Sequence, residues 1–214
     1  LDVMGYHALS RLYLNTWPAV QGSKAFRGSY TDQAGVYHGA RTGEDYDYTA
    51  SNCNLDHGTV LWSLIEHYWM TRDKDWLTSI LPSVRKAADW IIDQRRLTKV
   101  LAGGIPCPEY GLLPAGHLED NADWGHWFSV NAYASLGLTA MARALGEIGA
   151  SDAARYGREA ELYRSDLRRA IERAAAASPV VRLRDSTYVP YVPARAHQRI
   201  RLFGPIRKAL YSRY

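Results

Sequence analysis

Nine consecutive positions, Glu119-Asp120-Asn121-Ala122-Asp123-Trp124-Gly125-His126-Trp127, concentrate groups suited to acid–base chemistry. Carboxylates crowded together raise one another's pKa, which is how one of them can stay protonated near neutral pH. A protonated acid beside an ionised one can donate a proton to a leaving group and activate a water. Trp124 and Trp127 add flat apolar faces with an N–H handle, which suits the ring of a polar substrate. Glu119 and Asp123 are the favoured catalytic acids, with Asp120 and Glu109 in reserve. The plainer alternative is that Asp123 caps the following helix and Trp127 plugs the core.

Further groups lie where the same site could recruit them. Glu109 sits in the turn Pro108-Glu109-Tyr110-Gly111, where Tyr110 could line a binding surface. Asp56 and His57 open an apolar segment; Asp56 is expected to cap it, the commoner role for such a residue, and His57 to point into the cleft. His126 is a candidate substrate contact. Glu44, Asp45 and Asp47 flank Tyr46 and Tyr48 and could form a subsite or a solvated loop. Glu66 and His67 fall inside an apolar helix, where buried polar groups need partners, so both are expected to be structural.

Positioning these groups falls to helices. Residues 1–17 carry apolar side chains at helical spacing up to Pro18. Residues 18–52 form a glycine-punctuated loop with room for a short hairpin; loops this long inside a domain are usually functional. A helix apolar nearly all round, and therefore expected to be buried, spans 56–71. After the turn 72–75, an amphipathic helix spans 76–96, with Pro82 expected to interrupt or kink it. The loop 98–127 follows. A second apolar helix spans 129–148, then a turn with Ser151 as a candidate N-cap and a second amphipathic helix over 152–177. The two turns lie about 77 residues apart, so the chain contains a repeat of supersecondary units. TPR and HEAT units are shorter, at ~34–47 residues, and lack long aromatic loops. Buried helices alternating with amphipathic ones, joined by long loops at one end, describe an all-α toroid of antiparallel hairpins. With two hairpins and a leading helix visible, the ring is expected to be partial over residues 1–214, read as a single domain.

Composition narrows the functional classes. Apolar residues make up 47% and charged residues 22%, as in a globular chain. Seven Trp and fifteen Tyr against three Phe favour a polar, ring-shaped ligand such as a sugar. The net charge of +4 is gathered after residue 180, but Pro, Tyr, Leu and Ile interrupt that basic tail (178–214), so it reads as a packing segment. Nucleic acid and membrane are not expected partners. Cys53 and Cys107 lie outside any CxxC and cannot assemble a four-ligand zinc set; whether they pair cannot be read. No P-loop, GxGxxG or HExxH occurs, and no cofactor or metal is expected.

Several segments resemble one family. LWSLIEHYWMTRDKDWLTSILPSVRKAADWI (61–91) and ALGEIGASDAARYGREAELYRSDLRRAI (144–171) resemble hairpins of the six-hairpin glycosidase superfamily. GLLPAGHLEDNADWGHWFSVNAYASLGL (111–138) resembles the loop before an inner helix in these enzymes, and VVRLRDSTYVPYVP (180–193) a strand-like excursion between hairpins. The resemblance implies glycoside hydrolysis by paired carboxyl groups, in the inverting form with the two ~6.5–9.5 Å apart. Two further readings stay open. A toroid polysaccharide lyase would use His57, His117, His126, Asn121 or Tyr110. A non-catalytic carbohydrate-binding scaffold would need none of the acids. The expected partners are a carbohydrate and either the remainder of the ring or another copy of the chain.

Overall fold

The computed structural model describes residues 1–23, 27–38, 40–42, 46–48, 54–118 and 124–197. They are mostly helical, with a few short strands. In chain order the elements are a 3-10 turn (Asp2–Met4), α1 (His7–Leu14), α2 (Thr16–Val20), β1 (Ala40–Thr42), β2 (Tyr46–Tyr48), α3 (Asp56–Thr71), α4 (Lys74–Leu97), β3 (Leu101–Ala102), β4 (Ile105–Pro106), α5 (Phe128–Glu147), α6 (Ala153–Ala176), β5 (Val180–Arg182) and β6 (Tyr188–Pro190). The strands form three separate antiparallel two-stranded ribbons. Among the described residues, no helix is long and apolar enough to cross a membrane.

The N-terminal helix expected over 1–17 is broken instead. Gly5 adopts φ +80° and ends the 3-10 turn, and α2 runs through Pro18. Pro18 is the third residue of α2, a position whose N–H has no intrahelical partner to lose. Pro82 neither starts nor interrupts a segment, because α4 is continuous across it. Its ring lies on the exposed side between buried Leu81 and Val84, where water can reach the carbonyl that the missing N–H frees.

Helix starts also differ in detail. Asp56 is the first residue of α3 and not its cap; Leu55 holds that place without a side-chain bond. An acid in the first turn still favours the helix dipole. Ser151 does not cap α6: Asp152 stands at that position, and its carboxylate accepts from Arg85 Nε and Nη2 at 2.8 and 3.1 Å. The side-chain cap that does form is Asp73, which accepts from the Trp76 backbone N–H at 2.8 Å and opens α4.

Side-chain pairs fix how the helices lie together. Gly58 of α3 abuts Ala134 of α5, and Gly137 abuts Leu61. At the other end, Tyr68 and Arg72 both donate to Glu147. Rising numbers therefore meet rising numbers, so α3 and α5 run parallel. Likewise α4 and α6 run parallel through Arg85–Asp152, Arg155–Asp89 and Arg95–Asp166. Within each hairpin the partners are antiparallel: His57 bonds the Ala87 carbonyl at one end of α3 while His67 stacks edge-on to Trp76 at the other. The result is two hairpins side by side in two layers, α3 with α5 and α4 with α6.

One apolar core fills the space between the layers, with Leu61, Leu64, Ile65, Tyr68, Leu77, Val84, Ile91, Leu138, Met141 and Tyr163 all essentially solvent-free. The expectation that α3 is buried on all sides does not hold. Trp62, Ser63 and Glu66 are half-buried and Met70 is exposed, whereas α4 buries a long stripe from Trp76 to Arg95. Among the described residues, α3 packs chiefly against α5, α4 and α1. Glu66, half-buried, and His67, buried, each have the partner that a polar group in an apolar helix is expected to need. Glu66 accepts from Trp62 Nε1 at 3.0 Å, and His67 Nδ1 bonds Asp2 at 2.8 Å.

Candidate functional site

The loops that precede α3 and α5 are tied together at the N-terminal ends of those helices. Gly28 bridges Gly116, and Gly116 in turn bridges Gly125. The His117 N–H donates to the Arg27 carbonyl at 3.0 Å, and the Asn54 N–H donates to the Leu118 carbonyl at 3.1 Å. A side chain at Gly28 or Gly116 would strike the opposing backbone, Ala115 O at 2.7 Å and Arg27 O at 2.8 Å respectively. Both glycines are thus required by this close approach. Asn54 Nδ2 adds a 3.2 Å bond to the Tyr30 hydroxyl. Tyr30 is half-buried against the core, and desolvation raises its pKa above the ordinary phenol value despite the Asn54 contact.

Three of the four candidate acids, the favoured Glu119 and Asp123 and the reserve Asp120, lie outside the described residues, as do Asn121, Glu44, Asp45 and Cys53. The described residues that flank these positions are Leu118, whose carbonyl accepts from the Asn54 N–H, and Trp124. Trp124 is 52% exposed, with its ring edge-on to His117 at 5.9 Å between centroids. His117 is buried, and among the described residues its Nδ1 has no hydrogen-bond partner. An exposed indole beside a buried imidazole is an arrangement that could hold the face of a sugar ring.

Two expected substrate contacts are core residues. Trp127 is 4% exposed; its Nε1 donates to the Gly116 carbonyl at 3.0 Å, and the Arg195 guanidinium covers its ring at 4.9 Å. The plug reading is therefore the right one for Trp127. His57 does not point into a cleft. Its Nδ1 accepts from the Tyr37 N–H at 3.0 Å, and its Nε2 faces the Ala87 carbonyl at 3.1 Å, which fixes the Nε2–H tautomer. Burial drives its pKa down to about 3, against the opposing pull of the Ala87 carbonyl, so the ring is neutral in the fold. Asp56 Oδ2 lies 3.7 Å from His38 Nδ1, a pairing within the same loop junction.

A second group forms where the 107–113 turn meets the segment after β6. The Phe128 N–H donates to the Ala194 carbonyl and the Ala196 N–H to the His126 carbonyl, so residues 194–196 run beside the start of α5. This places His197 Nε2 at 2.6 Å from Glu109 Oε2. His126 lies alongside, with its ring 5.8 Å from that of His197 and its Nδ1 at 2.9 Å from the Leu113 carbonyl. Burial raises the Glu109 pKa, but its own backbone N–H, His197 and His126 together outweigh that and hold the carboxyl below its usual range. Burial, the largest influence, lowers the His126 pKa. Tyr110, next in the turn, is half-buried under the Arg169 guanidinium, 5.1 Å from its ring.

Glu109, Tyr110 and His126 are therefore gathered, and Trp124 stands on the paired strand-like segment that leads to His126. His197 was not legible as a member of this group. It is 88 residues from Glu109, and only the backbone pairing of residues 194–196 brings it near. Cys107 is a free thiol. No protein-family model matches the chain, and neither a curated protein nor a solved structure matches it.

Proposed function

We propose that the protein is a glycoside hydrolase-like member of the helical-hairpin toroid enzymes, acting through paired carboxyl groups. The observation that carries this reading is the joining of the two pre-helix loops at one end of the parallel pair α3 and α5. That joining holds Leu118 and Trp124, the described residues on either side of positions 119–123, at the same end of the two helices. The parallel stacking of like helices supports a toroid, because further hairpins added in the same sense continue both layers; closure of the ring is part of the proposal.

In this mechanism one acid of the 119–123 segment, Glu119 or Asp123, protonates the glycosidic oxygen. A second carboxylate activates water on the opposite face of the sugar, which inverts the anomeric centre when the two groups are ~6.5–9.5 Å apart. Trp124 holds the ring by its apolar face, and His117 steadies the indole. His57 and Trp127 play no direct part: they fix the junction on which the loops stand.

The experiment is an incubation of the protein with a panel of neutral and uronate-containing oligosaccharides, reading new reducing ends and ultraviolet absorbance together. Hydrolysis gives reducing ends without absorbance. Absorbing, unsaturated products would replace this reading with a lyase. Binding without any product would leave a carbohydrate-binding scaffold.

A further inference from the structure

We propose that Glu109, His126 and His197 form a binding site for one divalent transition-metal ion, with Zn2+ the cation that the donor set suits best. One ligand atom from each of the three residues lies within 4.8 Å of the other two. Around a tetrahedral Zn2+, with bonds of ~2.0–2.2 Å, the same atoms would stand about 3.4 Å apart. Small side-chain rotations therefore close the set. Two imidazoles and a carboxylate are borderline donors that select zinc over calcium or magnesium, which prefer all-oxygen shells.

The site is built, not merely crowded. A carbonyl oxygen can only accept, so the bond between His126 Nδ1 and Leu113 O requires the proton on Nδ1 and leaves the lone pair on Nε2. Metal-binding histidines carry this same outer bond, which fixes tautomer and ring orientation. Glu109 is held by the turn bonds Tyr110 N–H to Cys107 O and Leu112 N–H to Glu109 O, at 3.0 and 2.9 Å. His197 is held by the pairing of residues 194–196 with the start of α5. Three chain segments distant in sequence thus deliver three ligands from fixed backbone.

Metal binding replaces the present contact between His197 Nε2 and Glu109 Oε2. Any proton shared there leaves to solvent, and the cation takes its place between the two groups. Three protein ligands leave a fourth position for water, the pattern of open His2Glu zinc sites. The ion would also clamp the segment after β6 onto the 107–113 turn. Glu109 is then a metal ligand, and proton donation stays with the 119–123 acids.

The inference stands apart from the glycosidase reading, because it is read on the protein with no sugar present. The metal-stripped protein is titrated with Zn2+ alone by calorimetry, alongside Glu109→Gln, His126→Ala and His197→Ala. One equivalent is expected to bind the unaltered chain, with affinity falling at least ~10-fold in each variant. Zn2+ should also raise the melting temperature of the unaltered chain and leave His197→Ala unmoved. His197 is exposed, so that variant keeps its fold, which circular dichroism checks. Absence of binding to the unaltered chain would overturn the proposal. So would equal stoichiometry and affinity in His197→Ala, which would move the ion elsewhere.

Discussion

Arg95 Nη2 donates to Asp166 Oδ2 at 2.8 Å, and both residues are buried between α4 and α6. The same guanidinium donates through Nε to the Gly111 carbonyl at 2.8 Å and lies 4.1 Å above the Tyr163 ring. One side chain therefore binds α4 and α6 to the loop that carries Glu109 and Tyr110. Gly111, at φ +74°, must lack a side chain there, because a Cβ would sit 2.1 Å from Asp166 Oδ2.

Arg95→Met is expected to cost about 3 kcal/mol, since breaking a buried pair leaves a carboxylate uncompensated. Arg169, which donates to the other Asp166 oxygen at 2.8 Å, keeps the loss at the low end. Chemical denaturation measures it, and a loss below about 1 kcal/mol would contradict this account.

Glycine substitutions separate propensity from packing. Alanine favours a helix over glycine by ~1 kcal/mol, so propensity alone predicts that Gly58→Ala stabilises α3. A Cβ at Gly58, however, would lie 2.3 Å from the Ala134 backbone nitrogen. The two helices must separate, and Gly58→Ala is expected to destabilise by ~1–3 kcal/mol. Gly146→Ala in α5 meets nothing within 4 Å and should stabilise by ~0.5–1 kcal/mol. Thermal melts of the two variants should move in opposite directions; a shared direction would refute the close α3–α5 contact.

His57 sets an acid limit. Its folded pKa, near 3 through burial, lies below the unfolded value of ~6.5. The unfolded chain therefore binds more protons between these values, and stability falls as pH drops from ~6.5 towards 3. Above that window the contribution is complete. The groups around the ring are His38, with Asp56 3.7 Å from it, Tyr37 and Trp90. Carboxylates with lowered pKa, such as Asp2 and Asp152, act only at lower pH, because their stabilisation is lost below their unfolded values of ~4. His57 is expected to lower the unfolding free energy by about 2 kcal/mol between pH 7 and pH 5, on the order of 1.4 per pH unit below ~6.5, and the fall should be smaller in His57→Gln. Equal slopes would show that His57 does not govern the window.

The helical repeat was legible because burial in two layers demands periodic apolar positions, and α3 to α6 fall where that period runs. Helix ends were less legible, since Asp152 is drawn to Arg85 while Asp73 caps α4, a choice set by partners distant in sequence. At the site, the nearness of Glu109, Tyr110 and His126 follows from the chain itself. The burial of His57 and Trp127 does not: an aromatic beside a loop reads the same whether it faces a ligand or a neighbouring backbone. His197 was hidden for a similar reason, because one hydrogen-bonded segment, not a local motif, delivers it.

The account rests most on the acids of the 119–123 segment, and single-variant kinetics test it directly. Glu119→Gln, Asp120→Asn, Asp123→Asn and Glu109→Gln are assayed against the glycoside that the native protein cleaves best, with melting temperature recorded for each. Loss of the true general acid is expected to lower kcat by ~10²–10⁴-fold, in Glu119→Gln or Asp123→Asn, with the melting temperature unchanged. Full activity in all four variants would contradict the assignment and leave the loop a structural one.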